Sequence, residues 1–220
     1  AVLCIINRRI YYKRENGVRP EANAGEGTMS YNFFALIGRM RYIDRWGLMR
    51  NTQVENIQEH SHSVAVLAHA LAVIGREKFG SRVDPGEAAI AGLYHDAPEI
   101  LTGDMPTPVK YDNPAIKDAY KAVESVAADK LLSMLPEELQ EEFSPYVREE
   151  LEPELLRVVK AADKLSAYLK CVEELKAGNN EFKQAARQTR EALNKMELPA
   201  LDYFLKHFLP GFELTLDELG

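Results

Sequence analysis

Residues 93–111 read LYHDAPEILTGDMPTPVKY and place an adjacent His95-Asp96 pair at the end of an apolar helical segment. An aspartate in such surroundings costs free energy unless it is paired with another group or bound to a cation. The histidine can also stabilise the C-terminal end of a helix dipole, and the aspartate can cap the next helix. The pair therefore indicates either a metal site or two helix-end residues.

Two more polar residues accompany apolar helical stripes. His60 lies four residues before Val64 and so shares the inward face of its helix. Asp163 lies within residues 155–172, the strongest apolar stripe of the chain. Taken singly, His60 is typical of a core histidine, and Asp163 can form a buried ion pair with Lys160. Together, two imidazoles and two carboxylates suit a divalent cation such as Mn²⁺, Co²⁺, Ni²⁺, Fe²⁺ or Mg²⁺, which can polarise a phosphoryl group and lower the pKa of a bound water.

Helical periodicity extends over almost the whole chain from Tyr31 onward, and no run of alternating strands interrupts it. The pattern predicts an all-α fold in a single helical domain, residues 29–220. Prolines fall at or between the predicted helices, where helices start or stop: Pro85, Pro106, Pro108, Pro114, Pro136, Pro145, Pro153 and Pro199.

Residues 1–28 differ from the rest of the chain. They carry a cluster of basic residues and three glycines, and no helical or strand period holds across them. We expect an N-terminal extension that is poorly structured or not native to the domain, and we assign it no function. A short β-like arm around residues 5–12 is the structural alternative.

Composition limits the classes of function. The chain has 220 residues, 46% hydrophobic and 28% charged, which is typical of a soluble globular protein. Two cysteines cannot make a disulfide framework and favour a reducing, cytoplasmic setting. A net charge of −7 disfavours a nucleic-acid polymer as partner. The apolar runs fall short of the ~20 residues of a transmembrane helix, so we expect no membrane association.

The order H…HD…D on successive helices resembles the HD-domain metal-dependent phosphohydrolases. The stretches DRWGLMRN (44–51), ENIQEHSHSVAVLAHAL (55–71) and KAADKLSAYLKCVEELKAGNNEF (160–182), together with residues 93–111, are similar to the bacterial 5′-deoxynucleotidase subgroup. The resemblance runs from about Tyr31 to near the C-terminus. It implies a single HD-domain helical bundle that acts as a homodimer on deoxyribonucleoside 5′-monophosphates, releasing the deoxynucleoside and phosphate.

The resemblance also implies roles for individual residues. It gives four metal ligands: His60, His95, Asp96 and Asp163. It makes Glu99 a catalytic residue, as general acid or base. Because Glu99 follows Pro98, its carboxylate can instead simply stabilise the first turn of a helix.

A second implied group contacts the substrate: Arg45, Trp46, His60, Asp96, Asp104, Met105, Pro106, Thr107 and Asp163. Arg45 would also serve catalysis by orienting the phosphate, although it can instead pair with Asp44 or a later acid. Trp46, the single tryptophan, would lie against the sugar and disfavour a 2′-hydroxyl, or it can be a core anchor. Residues 104–107 are predicted to form a loop in which Asp104 accepts a hydrogen bond from the 3′-hydroxyl, or is an ordinary turn residue.

Two other functions stay open. A different HD-domain phosphohydrolase would act on nucleoside triphosphates or alarmones, which call for more basic residues than lie near the motif. A helical binding module without catalysis would be favoured by loss of a metal ligand, and none of the four is lost. The residues do not identify the metal or the nucleobase.

Overall fold

The computed structural model describes residues 30–110 and 113–220. The helices in these ranges are α1 Phe33–Ile37, α2 Ile57–Phe79, α3 Pro85–Tyr94, α4 Glu99–Thr102, α5 Thr107–Lys110, α6 Pro114–Leu132, α7 Glu137–Val147, α8 Pro153–Lys176, α9 Lys183–Asn194 and α10 Pro199–His207. Short 3₁₀ turns lie at Met40–Tyr42, Asn180–Phe182, Leu209–Glu213 and Leu216–Glu218. The only extended pairing in the described ranges is an isolated antiparallel bridge between Asp44 and Asn56. The predicted all-α fold is confirmed.

The predicted extension, residues 1–28, lies outside the described residues, and so does the β-like arm proposed for it. The domain boundary at residue 29 therefore stays a prediction. Residues 31–220 form one compact unit. No helix in the part of the chain that the structure describes is long and apolar enough to cross a membrane.

Local sequence signals set the start and end of α2, the helix that carries His60. The Asn56 side chain accepts hydrogen bonds from the backbone of Gln58 and Glu59, and the Glu59 side chain accepts one from the backbone N–H of Asn56. The helix ends at Gly80, whose φ of 70° is readily adopted by glycine. These two caps fix the length of α2 and hence the depth of His60 in its first turn.

Prolines begin several helices as predicted, at the first positions of α3, α6, α8 and α10. Pro145 departs from the prediction because it lies inside α7. It stands near the C-terminal end of that helix, where a proline removes one backbone hydrogen bond without ending the helix earlier.

The main core lies where α2, α3, α8 and α10 meet. The approach of α3 to α2 depends on Gly92. A Cβ atom at this position would lie 2.7 Å from the Cα of Ala65, closer than packed atoms allow. The glycine therefore lets the two helices meet backbone to backbone, one turn before His95.

Candidate active site

The structure brings together side chains from α2, α8 and the end of α3. Single ligand atoms of His60, His95 and Asp163 all lie within 4.8 Å of one another. The Nε2 of His60 lies 3.2 Å from Oδ1 of Asp163 and 3.6 Å from Oδ2 of Asp96. The same Asp96 oxygen lies 3.2 Å from Nε2 of His95. The four predicted ligands thus form one cluster.

Neighbouring groups hold the two imidazole rings with their Nε2 atoms toward the carboxylates. The Nδ1 of His60 lies 3.1 Å from the hydroxyl of Ser166, and the Nδ1 of His95 lies 2.8 Å from the carbonyl of Gly92. Both histidines are buried. A hydrogen bond at one ring nitrogen fixes which nitrogen is available to a ligand, so both rings present Nε2 to the centre of the cluster.

The electrostatics of the cluster favour the ligand forms of His60, Asp96 and Asp163. Burial, and then the positive charge of Arg45, lower the pKa of His60 and favour its neutral form. Burial acts to raise the pKa of Asp96 and Asp163, but the neighbouring histidines outweigh it and lower both. At His95, unlike at His60, the pKa is raised. Burial acts to lower it, but the negative charge of Asp96 outweighs burial.

One atom of the cluster bears directly on the presence of a cation. The Nε2 of His95 is buried and makes no hydrogen bond among the described residues, although Asp96 is 3.2 Å away. A buried polar atom without a partner is costly, and a shared cation would satisfy it. Two imidazoles and two carboxylates fit the donor preferences of a divalent metal.

The alternative interpretations of these residues fail in part. Lys160 donates to Glu149 at 2.7 Å, so the ion pair predicted as an alternative for Asp163 is wrong. Helix α4 begins without a side-chain cap, so Asp96 is not a capping residue. His60 is a buried histidine, as its core interpretation required, but its partners are a carboxylate and a hydroxyl.

Glu99 is the first residue of α4 and is buried beside the cluster. Burial, and then the negative charges of Asp96 and Asp104, raise its pKa well above the usual range. Its Oε2 has no hydrogen-bond partner among the described residues. The first-turn position suits helix stabilisation, whereas a buried carboxyl with a free oxygen suits proton transfer, and both interpretations stay open.

Arg45 and Trp46 lie on the segment between the Met40–Tyr42 turn and α2. The Nη1 of Arg45 lies 3.0 Å from Oε2 of Glu55, so the predicted pairing with a later acid is correct. The pair is largely shielded from solvent, however, with 13% of the Arg45 side chain exposed. Burial acts to lower the pKa of Arg45, but carboxylates, Asp96 first among them, more than offset it and raise the pKa. Arg45 therefore faces the ligand cluster as a fixed positive charge.

Trp46 is half-buried, and its ring lies 5.3 Å from that of Phe182. Its backbone φ of 59° is in the left-handed region, which is rare for a bulky side chain. Its indole Nε1 donates to Oε2 of Glu55 at 2.8 Å. The residue is thus held by packing, as a core anchor would be, and by a hydrogen bond that leads back to Arg45.

The predicted loop after α4 is shorter than expected. Gly103, with φ of 76°, ends α4, and residues 104–106 have no regular structure. Thr107 is the first residue of α5, so its placement in the loop is wrong; Pro108 suits the first turn of a helix. Burial raises the pKa of Asp104, which lies within electrostatic reach of Arg45.

Comparison with known proteins decides the family. A family model described as 5′-deoxynucleotidase YfbR-like matches residues 32–212. The chain belongs to the YfbR-like 5′-deoxynucleotidase family. The chain is similar to a 5′-deoxynucleotidase of Vibrio atlanticus, 51% identical over 190 residues that cover 86% of this chain and 98% of the relative. Another, from Photorhabdus laumondii, is 50% identical over 190 residues, 86% of this chain and 96% of the relative. The resemblance read from the motifs is confirmed.

Solved structures place this YfbR-like chain in the HD-domain fold. An HD-domain phosphohydrolase from Listeria innocua superposes with a TM-score of 0.72 at 22% identity, covering 82% of this chain and 88% of the other. A cyanophage S-2L HD phosphohydrolase, solved with dA and one catalytic Zn²⁺ ion, gives a TM-score of 0.60 at 22% identity, over 82% and 96% of the two chains. The predicted HD-domain bundle is confirmed.

Sequence reasoning missed two residues of this YfbR-like site. Ser166 lies three positions after Asp163 on α8, and that helical spacing could have placed it beside the cluster. Glu55 lies ten positions after Arg45 and has no periodic relation to it. Its position beside Arg45 becomes evident only in the structure, where the antiparallel bridge between Asp44 and Asn56 brings the two ends of the segment together.

Proposed function

We propose that this protein hydrolyses deoxyribonucleoside 5′-monophosphates to the deoxynucleoside and phosphate. The observation that carries the proposal is the convergence of His60, His95 and Asp163 within 4.8 Å in a chain of the YfbR-like family. In the reaction a water oxygen bonds to phosphorus and gives up one proton, the bond from phosphorus to the 5′-oxygen breaks, and that oxygen takes up a proton. The site must therefore bind a phosphate, position water and supply a proton.

The four clustered side chains would hold a divalent cation: His60, His95, Asp96 and Asp163. When bound, the cation supplies Lewis acidity that polarises the phosphoryl group. The donor set suits Mn²⁺, Co²⁺, Ni²⁺, Fe²⁺ or Mg²⁺, and the Zn²⁺ of the cyanophage phosphohydrolase adds zinc to the metals worth testing. His60, Asp96 and Asp163 would also border the bound phosphate.

Arg45 would bind the phosphate. A guanidinium has five N–H donors, and Glu55 engages Arg45 through Nη1. The Nε of Arg45 is buried and makes no hydrogen bond in the described part of the chain. Unsatisfied donors on a buried, permanently positive group suit the oxygens of a phosphate.

The sugar would be recognised by Trp46 and by the loop after α4. The indole of Trp46 offers a rigid wall that a 2′-hydroxyl would crowd. Asp104 would accept a hydrogen bond from the 3′-hydroxyl, with Met105, Pro106 and Thr107 alongside the ligand. Glu99, whose raised pKa favours the protonated form, would donate a proton to the 5′-oxygen as the bond to phosphorus breaks.

We further propose a cytoplasmic homodimer with no polymeric nucleic acid or membrane as partner. The free, buried thiol of Cys171 and the low cysteine content support a reducing compartment. Exposed apolar side chains on α2 and α3, at Val66, Ile90 and Leu93, are of the kind that a second copy would cover. Sedimentation at assay concentration tests the dimer, and a monomer there would contradict it.

The deciding experiment measures phosphate release from dAMP, AMP and dATP by protein stripped with EDTA and then supplied with Mn²⁺, Co²⁺, Mg²⁺ or Zn²⁺. Wild type is compared with Asp96→Ala and with Asp118→Ala, which removes an exposed aspartate from α6. We expect metal-restored release from dAMP, weaker release from AMP, no release by Asp96→Ala and normal release by Asp118→Ala.

Each other result excludes the proposal in a recognisable way. Release from dATP alone would indicate a triphosphate hydrolase of the same fold. Failure of every metal to restore release, with no metal bound by the protein, would indicate a helical binding module. Equal rates with dAMP and AMP would contradict the selectivity for the deoxy sugar.

A further inference from the structure

A single carboxylate oxygen joins the side chains of Arg45 and Trp46, the two residues of the segment before α2 that are proposed to contact the substrate. The Oε2 of Glu55 accepts from Nη1 of Arg45 at 3.0 Å and from Nε1 of Trp46 at 2.8 Å. The backbone repeats the pairing, because the amide of Arg45 donates to the carbonyl of Glu55 at 2.8 Å. Only 14% of the Glu55 side chain is exposed. The carboxylate is therefore fixed in place and shielded from competing water.

The backbone at Trp46 explains how one oxygen reaches both side chains. Neighbouring side chains of an extended segment point to opposite faces. The left-handed φ of 59° at Trp46 breaks this alternation. Such a conformation persists in a bulky residue only where its surroundings hold it. Here the Glu55 carboxylate and the ring of Phe182 hold the indole.

The shared oxygen also fixes the position of the Arg45 charge. The guanidinium carbon lies 5.9 Å from the centre of the Trp46 ring, so the two groups are neighbours as well as partners of Glu55. Loss of the Glu55 carboxylate would leave the guanidinium and the indole N–H without this shared partner. The guanidinium would then be free to shift toward the other carboxylates that act on it, among them Asp96 and Asp163.

We propose that Glu55 is a positioning residue that couples phosphate binding by Arg45 to the discrimination between sugars by Trp46. The inference rests on the proposed function, because it assigns Glu55 to the binding of the same nucleotide. Changing Glu55 alters phosphate affinity and the preference for dAMP over AMP together. Changing the carboxylate to an amide separates the two effects, because the amide oxygen still accepts from the indole N–H but carries no charge.

The test compares wild type, Glu55→Ala, Glu55→Gln and the matched control Asp44→Asn. Asp44 is an exposed carboxylate on the same segment, and the backbone bridge to Asn56 does not need its side chain. For each protein, kcat and KM are measured with dAMP and AMP, and thermal unfolding checks the fold. Emission of Trp46, the single tryptophan, reports on the indole independently of activity.

For Glu55→Ala we expect KM for dAMP to rise and the dAMP-to-AMP ratio of kcat/KM to fall, each at least about tenfold, as loss of a charged hydrogen bond predicts. The tryptophan emission of Glu55→Ala shifts to longer wavelength as the indole becomes more exposed to water. Glu55→Gln keeps the emission wavelength and the dAMP-to-AMP ratio of kcat/KM of wild type. Its KM for dAMP rises as in Glu55→Ala. Asp44→Asn matches wild type throughout.

Several results would overturn the inference. Equal losses with dAMP and AMP and an unchanged ratio would make Glu55 a residue that only stabilises the fold. An unchanged emission in Glu55→Ala would show that the carboxylate does not hold Trp46. Wild type that releases no phosphate from dAMP would refute the proposed function and the coupling with it, while the emission of the variants would still establish whether Glu55 holds the indole.

Discussion

The hydroxyl of Ser166 lies 3.1 Å from Nδ1 of His60, on the side of the ring away from the carboxylates. The contact crosses from α8 to α2 and sets which nitrogen of His60 faces the ligand cluster. A histidine that binds metal through one nitrogen commonly has its other nitrogen held in this way. Ser166 is therefore part of the site although it is not one of the four predicted ligands.

Ser166→Ala should weaken metal binding by about 10–100-fold, because the His60 ring loses the partner that orients it. Competition between the protein and a chelator for Mn²⁺ measures the change. Ser61→Ala is the matched control, since Ser61 is a buried serine next to His60 whose hydroxyl has no partner among the described residues. Equal affinities for Ser166→Ala and wild type would show that packing alone orients His60.

Glu99→Gln should lower kcat for dAMP by about 10²–10⁴-fold while the metal content stays that of wild type. The amide keeps the shape of the side chain but cannot donate or accept the proton of the reaction. Glu87→Gln, in the first turn of α3, controls for loss of an acid at a helix N-terminus. If Glu99→Gln lost only some thermal stability and kept its kcat, helix stabilisation would be its whole role.

Gly92→Ala should lower the free energy of unfolding by about 1–3 kcal/mol, the usual cost of overpacking. It should also weaken metal binding, because the added methyl group meets the Ala65 backbone at 2.7 Å and pushes α3 away from α2. Denaturant unfolding and metal titration measure the two effects. Gly211→Ala, where a Cβ meets nothing within 4 Å, should change neither. Full metal affinity in Gly92→Ala would mean that the ligands adapt to the helix shift.

Glu174, on α8, is expected to make stability depend on pH. It is buried and accepts hydrogen bonds from Lys170, Asn179 and Thr52. Burial acts to raise the pKa of Glu174, but these donors, Lys170 first, outweigh it and hold the pKa well below its usual range. Because the folded pKa lies below the unfolded value of about 4.3, the stabilisation is present above that pH and is lost as the pH falls toward the folded value.

Glu174→Gln should therefore lower the free energy of unfolding by about 3–5 kcal/mol at pH 7, the usual cost of breaking a buried ion pair. The gap between variant and wild type should narrow as the pH falls below about 4. Denaturant unfolding from pH 7 down to the acid limit of folding measures the gap, and Glu191→Gln, an exposed change in α9, is the control. A gap that stayed constant with pH would contradict the lowered pKa.

The fold and the ligand cluster could be predicted from sequence because both follow helical periodicity. His60 and Asp163 occupy inward positions of long apolar stripes, so their convergence needs no knowledge of loops. Pro145 was misplaced because proline tolerance depends on where a helix ends. Thr107 was misplaced because the loop that begins at Gly103 ends at Pro106, so that the next helix starts sooner than expected.

The contacts that hold Arg45 and Trp46 could not be predicted, since they depend on a non-periodic segment and on a left-handed backbone at a tryptophan. No local propensity favours that conformation. It is set by contacts with Glu55 and Phe182, the latter 136 positions beyond Trp46 in numbering, 182 minus 46. The ligand set can thus be predicted from the sequence, whereas the contacts of the residues proposed to select the substrate are found only in the three-dimensional structure.

The distance along the chain between the proposed ligands also has a consequence for biosynthesis. Asp163 follows His60 by 103 positions and lies on α8, after the other three ligands. A nascent chain on the ribosome therefore exposes His60, His95 and Asp96 before the residue that completes the set has been translated. With the proposed ligand set, full coordination of a metal therefore becomes possible only late in synthesis, after α8 has been translated.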